Sequence, residues 1–153
     1  MSSILDYTDI GFIKFLDAKN KLSAIEELAS VFHETDSCDN LPLLVQALKE
    51  REEIMSTGIG FGIAIPHAKI QTVKKISYAI GISKKGINFD SMDGELVRLI
   101  ILVIAGENQH RDYLKLLSHI MSILKKDDIK EKIISSESSK NVLDILSSEE
   151  HKI

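Results

Sequence analysis

The chain has 153 residues, 44% of them hydrophobic and 27% charged, with a formal net charge of −4. That length suits one domain with a core of its own and no need of disulfide or metal staples, and the composition excludes a disordered chain. The acidic balance argues against nucleic-acid binding, since a basic excess or stripe is absent and only scattered pairs such as Lys74-Lys75, Lys84-Lys85 and Lys125-Lys126 occur.

The N-terminus has neither the basic start nor the apolar block of a secretory signal. The longest apolar run, Leu99 to Ala105, is far short of the ~20 residues needed to span a bilayer. A soluble, cytoplasmic protein is expected. Phe12 to Leu16 reads as a short strand. Lys21 to Phe32 follows as a helix with Leu22, Ile25, Leu28, Ala29 and Phe32 on one stripe. Cys38 is the single cysteine, so no internal disulfide is possible, and its acidic neighbours Asp36 and Asp39 disfavour a catalytic thiolate. A second helix is predicted from about Leu41 to Arg51, capped by Asp39 or Asn40, with Pro42 in its first turn and Leu41, Leu44, Val45 and Leu48 facing inward.

Gly58 to Ile65 alternates, with Ile59, Phe61, Ile63 and Ile65 on one side and Gly60, Gly62 and Ala64 on the other, as in one strand or two short ones. Ser77 to Ser83 is a further strand. Leu96 to Ala105 is almost wholly apolar, as in a strand buried on both faces. Arg111 to Lys125 is predicted helical with Leu114, Leu117, Met121 and Leu124 inward. Two short helices follow, near Ile129 to Ile134 and Lys140 to Leu146. No linker, repeat or low-complexity tract interrupts the order. The whole chain, residues 1–153, is therefore expected to form one α/β domain with a central mixed sheet flanked by helices on both faces.

Chemistry concentrates between Arg51 and Ala68. Gly58, Gly60 and Gly62 would allow a close backbone approach, but the dinucleotide fingerprint fails because Ile63 stands where its third glycine belongs. No Gly-Lys-Ser/Thr follows, and no kinase motif set exists. What remains is a strand ending in Pro66-His67. Proline fixes the backbone just before the imidazole. An imidazole is partly neutral near pH 7 and nucleophilic, so it can accept a phosphoryl group.

The stretch Arg51-Glu52 … Ser56-Thr57-Gly58-Ile59-Gly60 … Gly62-Ile63-Ala64-Ile65-Pro66-His67-Ala68 resembles the signature of enzyme IIA domains of the fructose/mannitol class in the bacterial sugar phosphotransferase system. That class includes the nitrogen-related IIA regulators. The likeness spans nearly the whole chain. It implies that His67 is the phosphorylated histidine, attacking through Nε2. It implies that Arg51 lies near the phosphoryl group, where a planar guanidinium suits phosphate oxygens, and that His110 is the second histidine beside it. Asn108 is a candidate cap for the helix that begins there, whose N-terminus would favour negative charge. Two departures stand out: Arg111 replaces a commonly apolar residue, and Ala68 replaces the commonest glycine.

The resemblance further implies phospho-HPr as donor and a IIB cysteine as acceptor. Contact with a membrane permease would come only through such partners. No cofactor and no metal are called for, because the donor phosphoryl group is already activated. A shallow apolar surface around His67 is expected for docking, with Phe61 or nearby isoleucines as candidates. A sugar-transport component and a regulator whose phosphorylation state controls partner binding both fit, the former being favoured; a small-molecule binding domain is a third reading. His33, His119 and His151 read as structural or exposed. Asp90, Asp93 and Glu95 read as loop residues.

Overall fold

The computed structural model describes residues 3–152. Eleven named elements alternate along the chain: β1 (Ile13–Phe15), α1 (Lys21–Ala29), α2 (Leu41–Ile54), β2 (Gly58–Gly60), β3 (Ile63–Ala64), β4 (His67–Lys69), β5 (Ser77–Ile87), β6 (Val97–Ala105), α3 (His110–Leu124), α4 (Asp127–Ile134) and α5 (Ser139–Glu150). The sheet order is β1-β5-β6-β3-β2, with β4 also pairing β6. β5 and β6 are antiparallel, as are β2 and β3; β1 runs parallel to β5, and β3 and β4 run parallel to β6. The expected mixed sheet is thus present.

The period-2 geometry of β6 explains the two layers. Leu99, Ile101, Val103 and Ala105 join a core with α3, α4 and α5, including Leu116, Ile120, Ile129 and Leu146. Ile100, Leu102 and Ile104 join a second core with α1 and α2, including Ile25, Leu28, Leu44 and Leu48. Helices cover both faces, so this central strand needs apolar residues at every position. Asn20 and Asn40 cap α1 and α2 by accepting from Ser23 N and Leu43 N, each at 3.0 Å.

Three expectations change. First, of the two readings of 58–65 the structure takes the two short strands, but the expected alternation of faces does not hold. β2 and β3 form a hairpin turned at Phe61-Gly62, so Ile63 and Ile65 are buried while Ile59 and Phe61 are exposed. Gly60, Phe61 and Gly62 all have positive φ (95°, 59° and 78°), which ends the extended alternation. Second, α3 buries Tyr113, Leu116, Ile120, Ile123 and Leu124, while Leu114 is exposed and Leu117 and Met121 only half-buried. The inward stripe is rotated by about one position, except at Leu124, which is buried as expected. Third, α1 ends at Ala29 and continues to Phe32 as a 3₁₀ turn, while α2 runs on to Ile54.

Candidate functional site

Pairing of β4 with β6, His67 opposite Val103, carries the imidazole to the carboxyl end of β6. Pro66 contributes its carbonyl, which accepts from Val103 N at 3.0 Å. The half-buried His67 places Nδ1 3.0 Å from the Ile65 carbonyl oxygen. A carbonyl only accepts, so Nδ1 carries the proton and the lone pair remains on Nε2. Burial lowers the His67 pKa below its ordinary value; the Ile65 hydrogen bond opposes this, and the Arg51 and Lys69 charges reinforce it, while Glu52 raises it again. The imidazole is therefore held neutral at neutral pH with its nucleophilic nitrogen at Nε2.

Arg51 lies in the last turn of α2, where one guanidinium nitrogen donates to the Met55 carbonyl at 2.8 Å. That bond uses one of five N–H donors. The charge of Arg51 acts on both His67 and the Tyr113 phenol, so α2 brings the guanidinium to the same cluster. His110 opens α3 and Tyr113 follows one turn later on the same helical face. The ring centroids of His67 and Tyr113 are 5.6 Å apart, and those of His110 and Tyr113 6.2 Å. The structure thus brings together all three expected residues, His67, Arg51 and His110, around Tyr113.

Lys69 completes the group and was missed in the sequence. It lies two residues beyond His67 on β4, hence on the same side of the strand. Its ammonium is 2.7 Å from His110 Nδ1 and 4.8 Å from the Tyr113 ring centroid. An ammonium only donates, so His110 Nδ1 accepts and its Nε2 carries a proton available to an anion. The two histidines thus use Nδ1 in opposite senses, as donor to a carbonyl in His67 and as acceptor from an ammonium in His110. Tyr113 was also missed; its spacing of three from His110 was the available signal.

The expected cap at Asn108 is not observed. Gln109 is the N-cap residue of α3 and makes no capping bond, because its Oε1 turns back to accept from Gly106 N at 2.6 Å. Phe61 lies far from this cluster. β3 pairs at Leu99 and β4 at Val103, and four residues of strand separate these points by roughly 13 Å, with Phe61 beyond Ile63. The large exposed apolar residues that border the cluster's own elements are Ile54, Met55 and Leu114.

His33 and His119 lie elsewhere, against Glu34 at 3.5 Å and Glu150 at 3.7 Å, and His151 is exposed after α5. Asp93 serves a loop, accepting from Phe61 N at 2.9 Å and Glu95 N at 3.0 Å. Among the described residues no group of three or more His, Cys, Asp or Glu is placed to hold a metal, and no helix is long and apolar enough to cross a membrane.

Comparison with known proteins extends the picture. A fructose-specific EIIA component from Haloferax volcanii is 35% identical over 149 residues, covering 93% of this chain and 97% of that protein. A fructose-specific EIIABC component from Bacillus subtilis is 32% identical over 86% of this chain, which spans only 21% of that protein's length. The crystal structure of the nitrogen regulatory protein IIA-Ntr from Neisseria meningitidis superposes with a TM-score of 0.85 at 27% identity, covering 92% of this chain and 97% of the other. The fold is shared by the mannitol enzyme IIA of Escherichia coli solved in complex with phosphorylated mannitol enzyme IIB, with a TM-score of 0.77 at 22% identity over 90% of this chain and 95% of that one. Residues 6–149 match the family model described as phosphoenolpyruvate-dependent sugar phosphotransferase system, EIIA 2, and the chain belongs to that family of phosphotransferase components.

Proposed function

We propose that this protein carries a phosphoryl group on His67 Nε2, taking it from phospho-HPr and passing it to a cysteine of a IIB partner. In the first transfer the phosphorus–nitrogen bond of the donor phosphohistidine breaks as the bond to His67 Nε2 forms. In the second, a IIB thiolate attacks phosphorus and His67 leaves as neutral imidazole, still protonated on Nδ1. The observation that carries this reading is the 3.0 Å contact from Nδ1 to the Ile65 carbonyl, which leaves the attacking lone pair on Nε2. No nucleotide or metal enters either step; positioning and charge stabilisation supply the catalysis.

Arg51 offers its remaining donors to the phosphoryl oxygens, and His110 Nε2–H and Lys69 offer two more. Ile54, Met55 and Leu114 provide the apolar rim on which the two partners dock in turn. Incubation with phosphoenolpyruvate, enzyme I and HPr should add one acid-labile phosphoryl group per chain. The reading fails if His67→Ala still acquires it.

A second reading is favoured by the 27% identity to a nitrogen regulatory protein. Here the phosphoryl group is an output signal, and its charge alters affinity for another protein. Loading the chain with labelled phosphate and presenting the IIB domains of its own cell separates the two. Rapid discharge onto one of them supports transport. Failure of every IIB to accept, with some other protein binding one phosphorylation state alone, replaces transport by regulation.

A further inference from the structure

Glu52 is nearly inaccessible, 3% exposed, in an otherwise solvated run of charges. A carboxylate in such a place requires partners, and it has three. Oε2 accepts from Thr57 N at 2.7 Å, Oε1 accepts from the Thr57 hydroxyl at 2.6 Å, and the Lys21 ammonium stands 3.5 Å from Oε2. Lys21 is in turn placed by the 88–90 loop, 3.4 Å from the Phe89 carbonyl and 5.9 Å from the Phe89 ring centroid.

Thr57 leads directly to the histidine. Its carbonyl accepts from Ile65 N at 3.0 Å, and the Ile65 carbonyl accepts from His67 Nδ1 at 3.0 Å. The His67 imidazole is thus tied, by two hydrogen bonds through the single residue Ile65, to a residue held on both backbone and side chain by Glu52. Among the described residues, Glu52 alone holds Thr57 at both its backbone nitrogen and its hydroxyl. Glu52 follows Arg51 on α2, so the same turn of helix sets the guanidinium and the imidazole in one frame.

We propose that Glu52 is a positioning residue for phosphoryl transfer, clamping Thr57 so that the Ile65 carbonyl stays aimed at His67 Nδ1 and the lone pair stays on Nε2. The proposal rests on His67 as the acceptor. Its chemistry is that of a buried partner that orients an imidazole through a hydrogen-bonded intermediary, as outer partners orient metal-bound histidines. Loss of the clamp allows the Ile65 peptide to turn, and the imidazole then drifts toward the tautomer protonated on Nε2, which cannot attack.

Nitrogen-15 NMR of the His67 ring reads the tautomer without any phosphoryl donor, so it tests the clamp independently of the transfer reaction. In the unaltered chain the Nδ1–H form should dominate. In Glu52→Gln, which presents an amide donor to one of the two Thr57 donors, the Nε2–H form should become readily detectable. Phosphoryl acceptance should then fall roughly ten- to a hundred-fold in kcat with little change in donor KM. Thr57→Val, which keeps the backbone bond and loses the hydroxyl, should show a smaller shift in the same direction, and Thr57→Ser should restore both readouts. An unchanged tautomer in a folded Glu52→Gln or Thr57→Val overturns the clamp. Equal losses in Thr57→Ser and Thr57→Val do so as well. If instead the unaltered chain accepts no phosphate while the tautomer shifts as described, the clamp stands and the transfer reading falls.

Discussion

Phe61 permits a test of how the hairpin before the candidate site is held. Its φ of 59° is the left-handed region, unfavourable by roughly 1–2 kcal/mol for a residue with a Cβ. The contacts that impose it are made to the backbone: Asp93 accepts from Phe61 N at 2.9 Å, and the buried Lys130 ammonium donates to the Phe61 carbonyl at 2.6 Å. Both survive any substitution at this position. The ring is 76% exposed, so truncation uncovers on the order of 50 Å² of apolar surface, worth about 1 kcal/mol. Phe61→Ala keeps the strain and loses the ring, and should be destabilised by about 1 kcal/mol. Phe61→Gly loses the ring and the strain and adds ~0.5–1 kcal/mol of unfolded-state entropy. It should lie close to the unaltered chain and about 1 kcal/mol above Phe61→Ala, the reverse of the usual order of these two residues. Urea denaturation measures the difference, and a thermal scan should separate the two variants by about 2–4 °C. Phe61→Gly falling below Phe61→Ala refutes the account. Because Phe61 is remote from His67, the donor KM should be unchanged in both; a large rise would return Phe61 to the docking surface.

Three further outcomes are expected. Burial and the Arg51 and Lys69 charges lower the His67 pKa, so Lys69→Met should raise it, and phosphoryl acceptance near pH 6 should fall relative to pH 8 more steeply than in the unaltered chain; an unmoved NMR titration of His67 contradicts this. By the same sign, the unfolded state binds more protons, so His67 costs native stability as pH falls through and below about 6.5, a dependence that His67→Gln should flatten in pH-series denaturation. The Tyr78 hydroxyl is buried and finds no hydrogen-bond partner among the described residues, so Tyr78→Phe should be neutral or stabilising by ~1 kcal/mol in urea, whereas a loss of that size reveals a partner. In Gly58→Ala the new Cβ would fall 2.2 Å from Ser91 Oγ and 3.1 Å from Ser91 Cβ. The cost should be about 1–3 kcal/mol, recovered in part when Ser91→Gly is added, since a contact with Phe89 Cβ at 3.2 Å remains, and additivity of the two changes would place the clash elsewhere.

The element order was legible because each segment carries one clear period. β6 reads as apolar throughout since both its faces are covered, and α1 and α2 show a single stripe under asparagine caps. Two short strands in 58–65 were legible as one of two readings, but the turn between them was not, because it uses a left-handed phenylalanine between glycines in place of an Asn-Gly or Asp-Gly pair. On α3 the residues at 113, 116, 120 and 123 and those at 114, 117, 121 and 124 form two overlapping apolar stripes. The fold buries the first stripe together with Leu124 of the second against the sheet, and the sequence pattern does not distinguish them. His67, Arg51 and His110 could be placed from the motif. Lys69 and Glu52 could not, because a lone lysine and one acid in a charge run look like solvated surface until the fold shows one against His110 and the other buried.

On the proposed reading, with His67 as the acceptor, the electrostatics of the cluster serve two demands that a phosphoryl carrier must meet with the same side chains. Before transfer the imidazole must be neutral, and positive neighbours favour neutrality because they disfavour an imidazolium. After transfer the ring bears a phosphoryl dianion, and positive neighbours stabilise it. Arg51 and Lys69 therefore act in the productive direction in both states. Their limit is the second transfer, since a group held too firmly would not leave. The buried Glu52 carboxylate, paired with Lys21, raises the His67 pKa only as the smallest of its influences, while its hydrogen bonds to Thr57 hold the backbone that fixes the tautomer. One buried acid thus opposes the two cations only slightly, and its larger part is to keep the geometry in which they act, which is why its removal is expected to alter the ring's tautomer more than its charge.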